Sequence, residues 1–260
     1  MKLTKHLHSA KEAAKAAGRA IMTIYATDFS DSVEYKADQS PLTKADKAAN
    51  SIIVAHLSHG FPESAMLSEE RKDDSSRMLN DWCWVVDPLD GTKEFIKKNG
   101  EFTVNIALTY KGKSVLGVIY VPVTEVLYYA AEGVGAFRED EDGIHTIHVT
   151  DKRHGLTVAS SRSHRSDKLN ALLESHDQAI HQVVSAGSSL KGTMVAEGKA
   201  DVYYRFGLTH EWDTAAMQCI VEQAGGIFKQ MDGTPMAYNR TNTLNEKGFY
   251  AVNHSDNIWV

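Results

Sequence analysis

The sequence predicts a mixed fold in two halves, an α+β half followed by an α/β half. Three observations predict it. Near the N-terminus Leu3, Leu7, Ala10, Ala14, Ala17, Ile21 and Ile24 recur at helical spacing. Residues 102–108, 114–120 and 126–130 alternate in the strand manner, with turns at Lys111-Gly112-Lys113 and Pro122-Val123-Thr124, which reads as an antiparallel meander. Further on, short strand and helix patterns alternate. The boundary falls at Asp151-Lys152-Arg153-His154-Gly155, so the halves are expected to be 1–152 and 153–260.

Each element has a local cause. The first helix carries Lys5, Lys11, Lys15 and Arg19 away from its apolar stripe. It is expected to pack on the core, and its basic face also suits a weak peripheral contact with the anionic inner membrane. Residues 33–38 read as a strand edge, and Gln39-Ser40-Pro41-Leu42 as a turn. Thr43-Lys44-Ala45-Asp46 starts a helix carrying Ala49, Ile52, Ile53 and Leu57, with Thr43 and Asp46 placed for a capping box. Residues 61–67 lead to Ser68-Glu69-Glu70-Arg71, and the polar stretch 72–80 is expected to be a loop.

Trp82-Cys83-Trp84-Val85-Val86 reads as a buried strand. Pro88 has no N–H for a ladder, so that strand is expected to end at Asp87. Gly91 allows a tight turn, and Thr92-Lys93-Glu94-Phe95 opens a helix. Residues 133–137 suggest another strand, and Glu139-Asp140-Glu141-Asp142-Gly143 a solvated hairpin tip. In the second half, strands are expected at 156–159, 183–184, 200–204 and 226–228, and helices at 166–174, 189–197 and 213–224. There is no internal repeat.

Composition excludes several classes. A 260-residue chain with 42% hydrophobic residues can build a sizeable core. A net charge of −6 argues against a surface that coats a nucleic-acid polymer. Cys83 and Cys219 stand far apart in apolar surroundings, which suits buried free thiols and a reducing compartment. The longest apolar stretch, 115–123, is too short to span a bilayer, and the N-terminus lacks a signal-peptide core. A cytoplasmic location is expected.

Asp87-Pro88-Leu89-Asp90-Gly91-Thr92 is the chemical centre. It holds two carboxylates at a strand end beside a turn and a helix start. Carboxylates packed that closely resist joint ionisation, and a divalent cation removes the conflict. The N–H groups of Gly91 and Thr92 would face the same point and suit phosphate oxygens. A plain surface turn uses the same residues. An EF-hand loop fails on register, because Leu89 falls where an acid is needed. A phosphatase with an aspartyl nucleophile two residues before a second Asp fails too, because Pro88 stands there. Asp213 opens a helix, where its charge suits the dipole. Ser161-Arg162-Ser163-His164, Gly187-Ser188-Ser189-Leu190-Lys191 and Arg205-Phe206-Gly207 supply small hydrogen-bonding groups and cations for a second anionic or nucleotide moiety.

In order, Asp46, Glu69-Glu70, Asp87 to Thr92, and Trp212-Asp213-Thr214-Ala215-Ala216 resemble the inositol monophosphatase superfamily of Mg²⁺-dependent, lithium-sensitive phosphatases. The resemblance runs essentially end to end. Gly91-Thr92-Lys93-Glu94-Phe95-Ile96, Asn99-Gly100-Glu101-Phe102-Thr103-Val104-Asn105 and the three second-half motifs are similar to its bacterial bisphosphate nucleotidase branch. Met217 departs from the pattern, which has Gly there, and a larger side chain is expected to crowd the helix start or the nucleoside pocket.

The resemblance implies a layered αβαβα sandwich with the site between the halves. It implies two or more Mg²⁺ ions, one held by Glu69, Asp87 and the Leu89 carbonyl, another by Asp87, Asp90 and Asp213. Glu69 and the Thr92 hydroxyl would position the attacking water, with Asp46 orienting Thr92. Glu69, Asp90, Gly91, Thr92, Lys93 and Asp213 would face the reacting phosphate. Lys191 and Arg205 would hold a second phosphate, with Ser188 and His164 near the nucleoside. The implied reaction is removal of the 3′-phosphate of 3′-phosphoadenosine 5′-phosphate, giving AMP and phosphate, in sulfate assimilation. An inositol or sugar monophosphatase is the other enzymatic reading, and a nucleotide- or Mg²⁺-sensing protein the non-enzymatic one.

Overall fold

Helices and sheets alternate in five layers. The computed structural model describes residues 3–27, 34–35, 41–73, 75–162 and 166–260. The first layer is α1 (Thr4–Tyr25) and α2 (Lys44–Gly60). Helix α1 turns Ala10, Ala13, Ala14, Ala17 and Gly18 inward, small residues that let it lie close to its neighbours, together with the larger Ile21. Part of its basic face is used inside the fold, because Lys11 and Lys15 each reach Glu139 at 2.6 Å. At α2, the Thr43 hydroxyl and backbone N–H both donate to Asp46 and the reciprocal capping box forms, a cap of about 1 kcal/mol in typical helices.

Between these helices, β1 (Glu34–Tyr35) pairs antiparallel with β2 (Pro41–Leu42). Pro41 and Leu42 are therefore strand and not turn; a proline fits an edge strand, where no N–H is required. The rest of the expected strand and turn, residues 33, 36–38 and 39–40, lies outside the described residues.

The second layer is a seven-stranded sheet in chain order. Its strands are β3 (Ala65–Ser68), β4 (Trp82–Asp90), β5 (Thr103–Tyr110), β6 (Lys113–Val121), β7 (Val126–Ala131), β8 (Gly135–Asp140) and β9 (Gly143–Thr146). Only the β3–β4 pair is parallel; the rest is the expected meander. The short helix α3 (Thr92–Ile96) follows β4. Two local expectations change here. Residues 72–80 include a 3₁₀ turn, Ser76–Leu79, pinned by the buried Arg77, which bonds Asp73, Asn239 and the Arg240 carbonyl. Glu139, expected in a solvated tip, is held by two lysines, while Glu141 and Asp142 stay exposed.

The remaining layers come from the second half. They contain β10 (Leu156–Ser161), α4 (Asp167–Ser175), β11 (Ile180–Ala186), α5 (Leu190–Ala196), β12 (Val202–Arg205), α6 (Glu211–Gln223), β13 (Ile227–Gln230) and β14 (Phe249–Val252). The sheet order is β11-β10-β12-β14-β13. Strand β14 has no counterpart among the sequence expectations. All four of its residues are buried, so it has no alternating pattern, and it makes this sheet mixed by running antiparallel to both neighbours.

Helices α5 and α6 form the middle layer. One core joins Val85, Ala107 and Ile119 of the first sheet, Ala215, Cys219 and Ile220 of α6, and Phe228 and Ala251 of the second sheet. At Gly117 of β6 an added Cβ would lie 2.3 Å from the Ala216 carbonyl oxygen, so glycine lets α6 settle onto the first sheet. Leu169 of α4 joins a separate cluster with Tyr204 and Tyr250 on the outer face of the second sheet. The expected boundary at 151–155 falls in coil between β9 and β10. Both cysteines are free and buried. Among the described residues no helix is long and apolar enough to cross a membrane.

Candidate active site

The site begins with an irregularity in β4. The strand does not end at Asp87; it continues to Asp90 across Pro88. Asp87 pairs with Asn105 and Asp90 with Thr103, so β4 advances by three residues while β5 advances by two. The extra residue is a bulge, which absorbs the missing proline N–H. Residues three apart in a regular strand point to opposite faces. The bulge cancels that alternation and turns both aspartates to one side.

Asp213 arrives from the other half, at the start of α6, where its Oδ2 accepts the His210 N–H at 2.6 Å. Carboxylate oxygens of Asp87, Asp90 and Asp213 lie within 4.8 Å of one another. Glu69 follows β3, its N–H donates to the Val86 carbonyl at 3.1 Å, and its carboxyl shares a hydrogen bond with Asp87. Burial, then Glu69, Asp90 and Asp213, push the Asp87 pKa well above the usual carboxylate range. Burial and then Asp90 push Asp213 up to about 8. Such a cluster of acids is in electrostatic conflict until a cation joins it. Its donors are all oxygen, which fits a hard divalent ion such as Mg²⁺.

Thr92 stands at the start of α3, after Gly91, whose φ of 91° is left-handed and suits glycine. The Thr92 hydroxyl lies 3.2 Å from Asp46 Oδ1 and 3.3 Å from the Leu89 carbonyl. Asp46 Oδ2 is taken by the Thr43 N–H at 2.7 Å and by the Thr43 hydroxyl. The cap of α2 thus fixes the carboxylate that orients Thr92. Burial first, against the Thr43 hydrogen bonds, raises the Asp46 pKa.

A cavity of about 260 Å³ opens beside the acids and takes its walls from both halves. Glu69, Asp90, Gly91, Thr92 and Lys93 line one side; Ser188, Lys191, Arg205 and Asp213 line the other. Lys93 is exposed. Ser188 is held at a left-handed φ of 43°, and its buried hydroxyl has no hydrogen-bond partner among the described residues. Lys191 is only 4% exposed. Its ammonium donates to the carbonyls of Ala186, at 3.3 Å, and Ser188, and lies 5.5 Å from the Tyr203 ring centroid. Burial brings its pKa down to about 8. Arg205 donates to the Leu208 carbonyl at 3.4 Å, which curls the chain after β12 beneath its guanidinium. Asp87 and Leu89 are buried behind this wall. His164, with Ser163, lies outside the described residues.

Met217 lines the cavity one turn after Asp213. Its side chain lies over Gly192 of α5, where an added Cβ would come within 2.1 Å of Met217 Cγ. The room for Met217 is made by Gly192, and the start of α6 keeps its cap.

Sequence reasoning named Ser189 and Asn105 within motifs but missed their contacts with Asp90. Ser189 Oγ donates to Asp90 at 2.6 Å, and Asn105 Nδ2 donates to Ser189 Oγ at 2.8 Å and to Asp90 at 3.2 Å. The available signal was an asparagine inside the buried run of β5.

Comparison with known proteins identifies the family and the fold. The inositol monophosphatase family pattern matches residues 2–257. The 3′(2′),5′-bisphosphate nucleotidase CysQ of Salmonella typhimurium is 46% identical over 240 residues, covering 91% of this chain and 95% of that protein. The Escherichia coli K12 protein of the same name is 45% identical over 238 residues, with the same coverage of 91% and 95%. Among solved structures, CysQ from Bacteroides thetaiotaomicron superposes with a TM-score of 0.85 at 41% identity, covering 97% of this chain and 98% of that one. Inositol monophosphatase from Anabaena gives 0.79 at 28% identity, covering 100% and 95%. The chain belongs to the inositol monophosphatase family.

Proposed function

We propose that the protein is a Mg²⁺-dependent 3′(2′),5′-bisphosphate nucleotidase that hydrolyses 3′-phosphoadenosine 5′-phosphate to AMP and phosphate. The observation that carries this reading is one cavity lined both by the carboxylates Glu69, Asp90 and Asp213 and by the cations Lys191 and Arg205. A simple sugar monophosphate has one phosphate, which the carboxylate-held cations engage, and no second anion to face Lys191 and Arg205. The named relatives, bisphosphate nucleotidases at 45–46% identity, support the same substrate class.

In this reading Glu69, Asp87, the Leu89 carbonyl, Asp90 and Asp213 would hold two or more Mg²⁺ ions. When bound, the ions neutralise phosphate charge and acidify the attacking water. The chain's own residues do the rest. Thr92 donates to Asp46, which leaves its lone pairs to accept from the water; Glu69 orients the same water in line with the scissile bond. The N–H groups of Gly91 and Thr92, and the exposed Lys93, receive the 3′-phosphate. Lys191 and Arg205 face the 5′-phosphate, and the Ser188 hydroxyl, which has no hydrogen-bond partner among the described residues, faces the nucleoside; His164, outside the described residues, keeps the nucleoside role that the sequence motif implies. The segment 1–152 thus supplies most cation ligands, and 153–260 supplies Asp213 and the nucleotide wall. The buried free thiols suit the reducing cytoplasm.

The test is phosphate release from the bisphosphate nucleotide, its sulfated precursor and inositol monophosphate, each with and without Mg²⁺. The bisphosphate should be preferred, and only with Mg²⁺. Preference for inositol monophosphate would overturn the substrate assignment.

A further inference from the structure

Glu101 has no assigned role in the site above, yet it ties the halves together at the cavity. It sits in the coil between α3 and β5. Its carboxylate accepts from Arg162 Nε at 2.9 Å, Arg162 Nη2 at 2.7 Å and the Gly187 N–H at 2.8 Å. Arg162 also donates to the Ser185 carbonyl at 2.9 Å. One carboxylate therefore gathers the ends of β10 and β11, with the fork geometry that gives Arg–carboxylate pairs their directionality. The approach is tight: a Cβ on Gly187 would lie 2.7 Å from the Glu101 carbonyl oxygen.

Gly187 opens the turn that carries Ser188 and Ser189. Ser188 lines the cavity, and Ser189 donates to Asp90 at 2.6 Å. A continuous chain of bonds thus runs from Arg162 at the surface through Glu101, Gly187 and Ser189 to the Asp90 carboxylate. We infer that Glu101 and Arg162 form a clasp that positions the 187–189 turn against Asp90, coupling substrate binding to cation binding. They are positioning residues and meet neither ligand.

The exposures predict the signature. Side chains of Arg162 and Glu101 are 49% and 23% exposed, so the ion pair itself adds little to global stability. The Gly187 N–H lies in a buried residue and needs its acceptor. Losing the clasp should loosen the turn without unfolding the protein.

The experiment compares wild type with Glu101→Ala, Glu101→Gln, Arg162→Ala, Arg162→Lys and the double alanine variant. Mn²⁺ dissociation constants are measured calorimetrically on substrate-free protein, alongside KM, kcat and Tm. Glu101→Ala should raise both the Mn²⁺ constant and KM for the bisphosphate by about 5- to 10-fold, with kcat at saturation changed by less than about threefold. Arg162→Ala should do less, because the Gly187 bond survives. The double variant should be no worse than Glu101→Ala, and Glu101→Gln should recover part of the loss. A folded Glu101→Ala variant with unchanged Mn²⁺ affinity and KM, or additive losses in the double variant, would overturn the inference. Should Glu101→Ala not fold, Arg162→Lys carries the same comparison. The kinetic arm rests on the proposed function, but the Mn²⁺ arm needs no substrate. A wild type that binds Mn²⁺ and ignores the nucleotide sinks the substrate assignment and leaves the clasp standing.

Discussion

Asp87 and Asp90 stand three residues apart on β4, yet their carboxylates meet, because the bulge at Pro88-Leu89 places one extra residue opposite β5. The same geometry creates repulsion that only a cation or a proton relieves. Added Mg²⁺ should therefore raise the melting temperature of chelator-treated protein in a concentration-dependent way. A flat titration of Tm against Mg²⁺ would contradict the assignment of these acids.

Replacing Asp87 with Asn separates stability from activity. Asn keeps an acceptor for the Leu89 N–H, which Asp87 Oδ1 receives at 3.1 Å, and removes a charge from the cluster. Asp87→Asn should abolish turnover, a loss of about 10³-fold or more, while Tm in chelator holds or rises. A variant that turns over near the wild-type rate would remove Asp87 from the cation site.

Asp46 and Thr92 should fail differently. The Thr92 hydroxyl makes long contacts, 3.2 Å to Asp46 and 3.3 Å to the Leu89 carbonyl, so Thr92→Ala should cost roughly 10²-fold in kcat with little change in Tm. Asp46 is the acceptor for Thr43 and Thr92 together, so Asp46→Ala should lose kcat and also about 1–3 kcal/mol of stability. Urea unfolding of both variants with matched kinetics checks the contrast. Equal stability losses would mean that the cap and the catalytic contact are not joined at Asp46.

Much of this arrangement was legible from the chain, and the reasons are local. Thr43 and Asp46 announce a cap by spacing, and Asp87, Asp90 and Asp213 announce themselves as acids at element ends. What stayed hidden depends on pairing. Pro88 correctly marks a break in the ladder, but only the register with β5 reveals that the break is a bulge and that β4 resumes. Strand β14 is buried along its whole length, so it carries no alternation to read. Lys191 reads as a free cation in sequence, whereas its ammonium is already bound to two carbonyls of the turn beside it. Ser189 reads in sequence as one more polar group at a helix start beside the nucleotide motif, until the turn brings it to Asp90.

Met217 and Gly192 should behave as a pair. Gly192→Ala alone would drive a methyl into Met217 and should destabilise by about 1–3 kcal/mol. Met217→Gly alone empties a buried site and should cost about 2–5 kcal/mol. The double variant should be more stable than the sum of the single losses predicts, read as a coupling free energy in denaturant unfolding. Simple additivity would mean that the two side chains do not share this space.

The nucleotide wall makes a pH-dependent prediction. Lys191 has its pKa lowered to about 8 by burial, against an ordinary value of 10.5. Below pH 8 it is charged and attracts a second phosphate, so KM for the bisphosphate should rise as pH climbs through about 8. The linkage to stability has the opposite sign. The unfolded lysine keeps its proton to about pH 10.4, so the cost of burying the ammonium is full below 8 and is relieved between 8 and 10.4. Wild type should therefore gain stability relative to Lys191→Met across that window. Arg205→Ala should lower kcat/KM for the bisphosphate by roughly 10- to 100-fold and barely change hydrolysis of inositol monophosphate. Equal losses on both substrates would make Arg205 a structural residue.

The most direct test of the account is to follow 3′-phosphoadenosine 5′-phosphate by ³¹P NMR with the purified protein, in Mg²⁺ and in chelator. The two phosphates give separate resonances, so the spectrum reports which one leaves. The account predicts loss of the 3′ signal alone, with growth of 5′-AMP and inorganic phosphate in Mg²⁺ and no change in chelator. Loss of the 5′-phosphate, or equal hydrolysis with and without Mg²⁺, would contradict it.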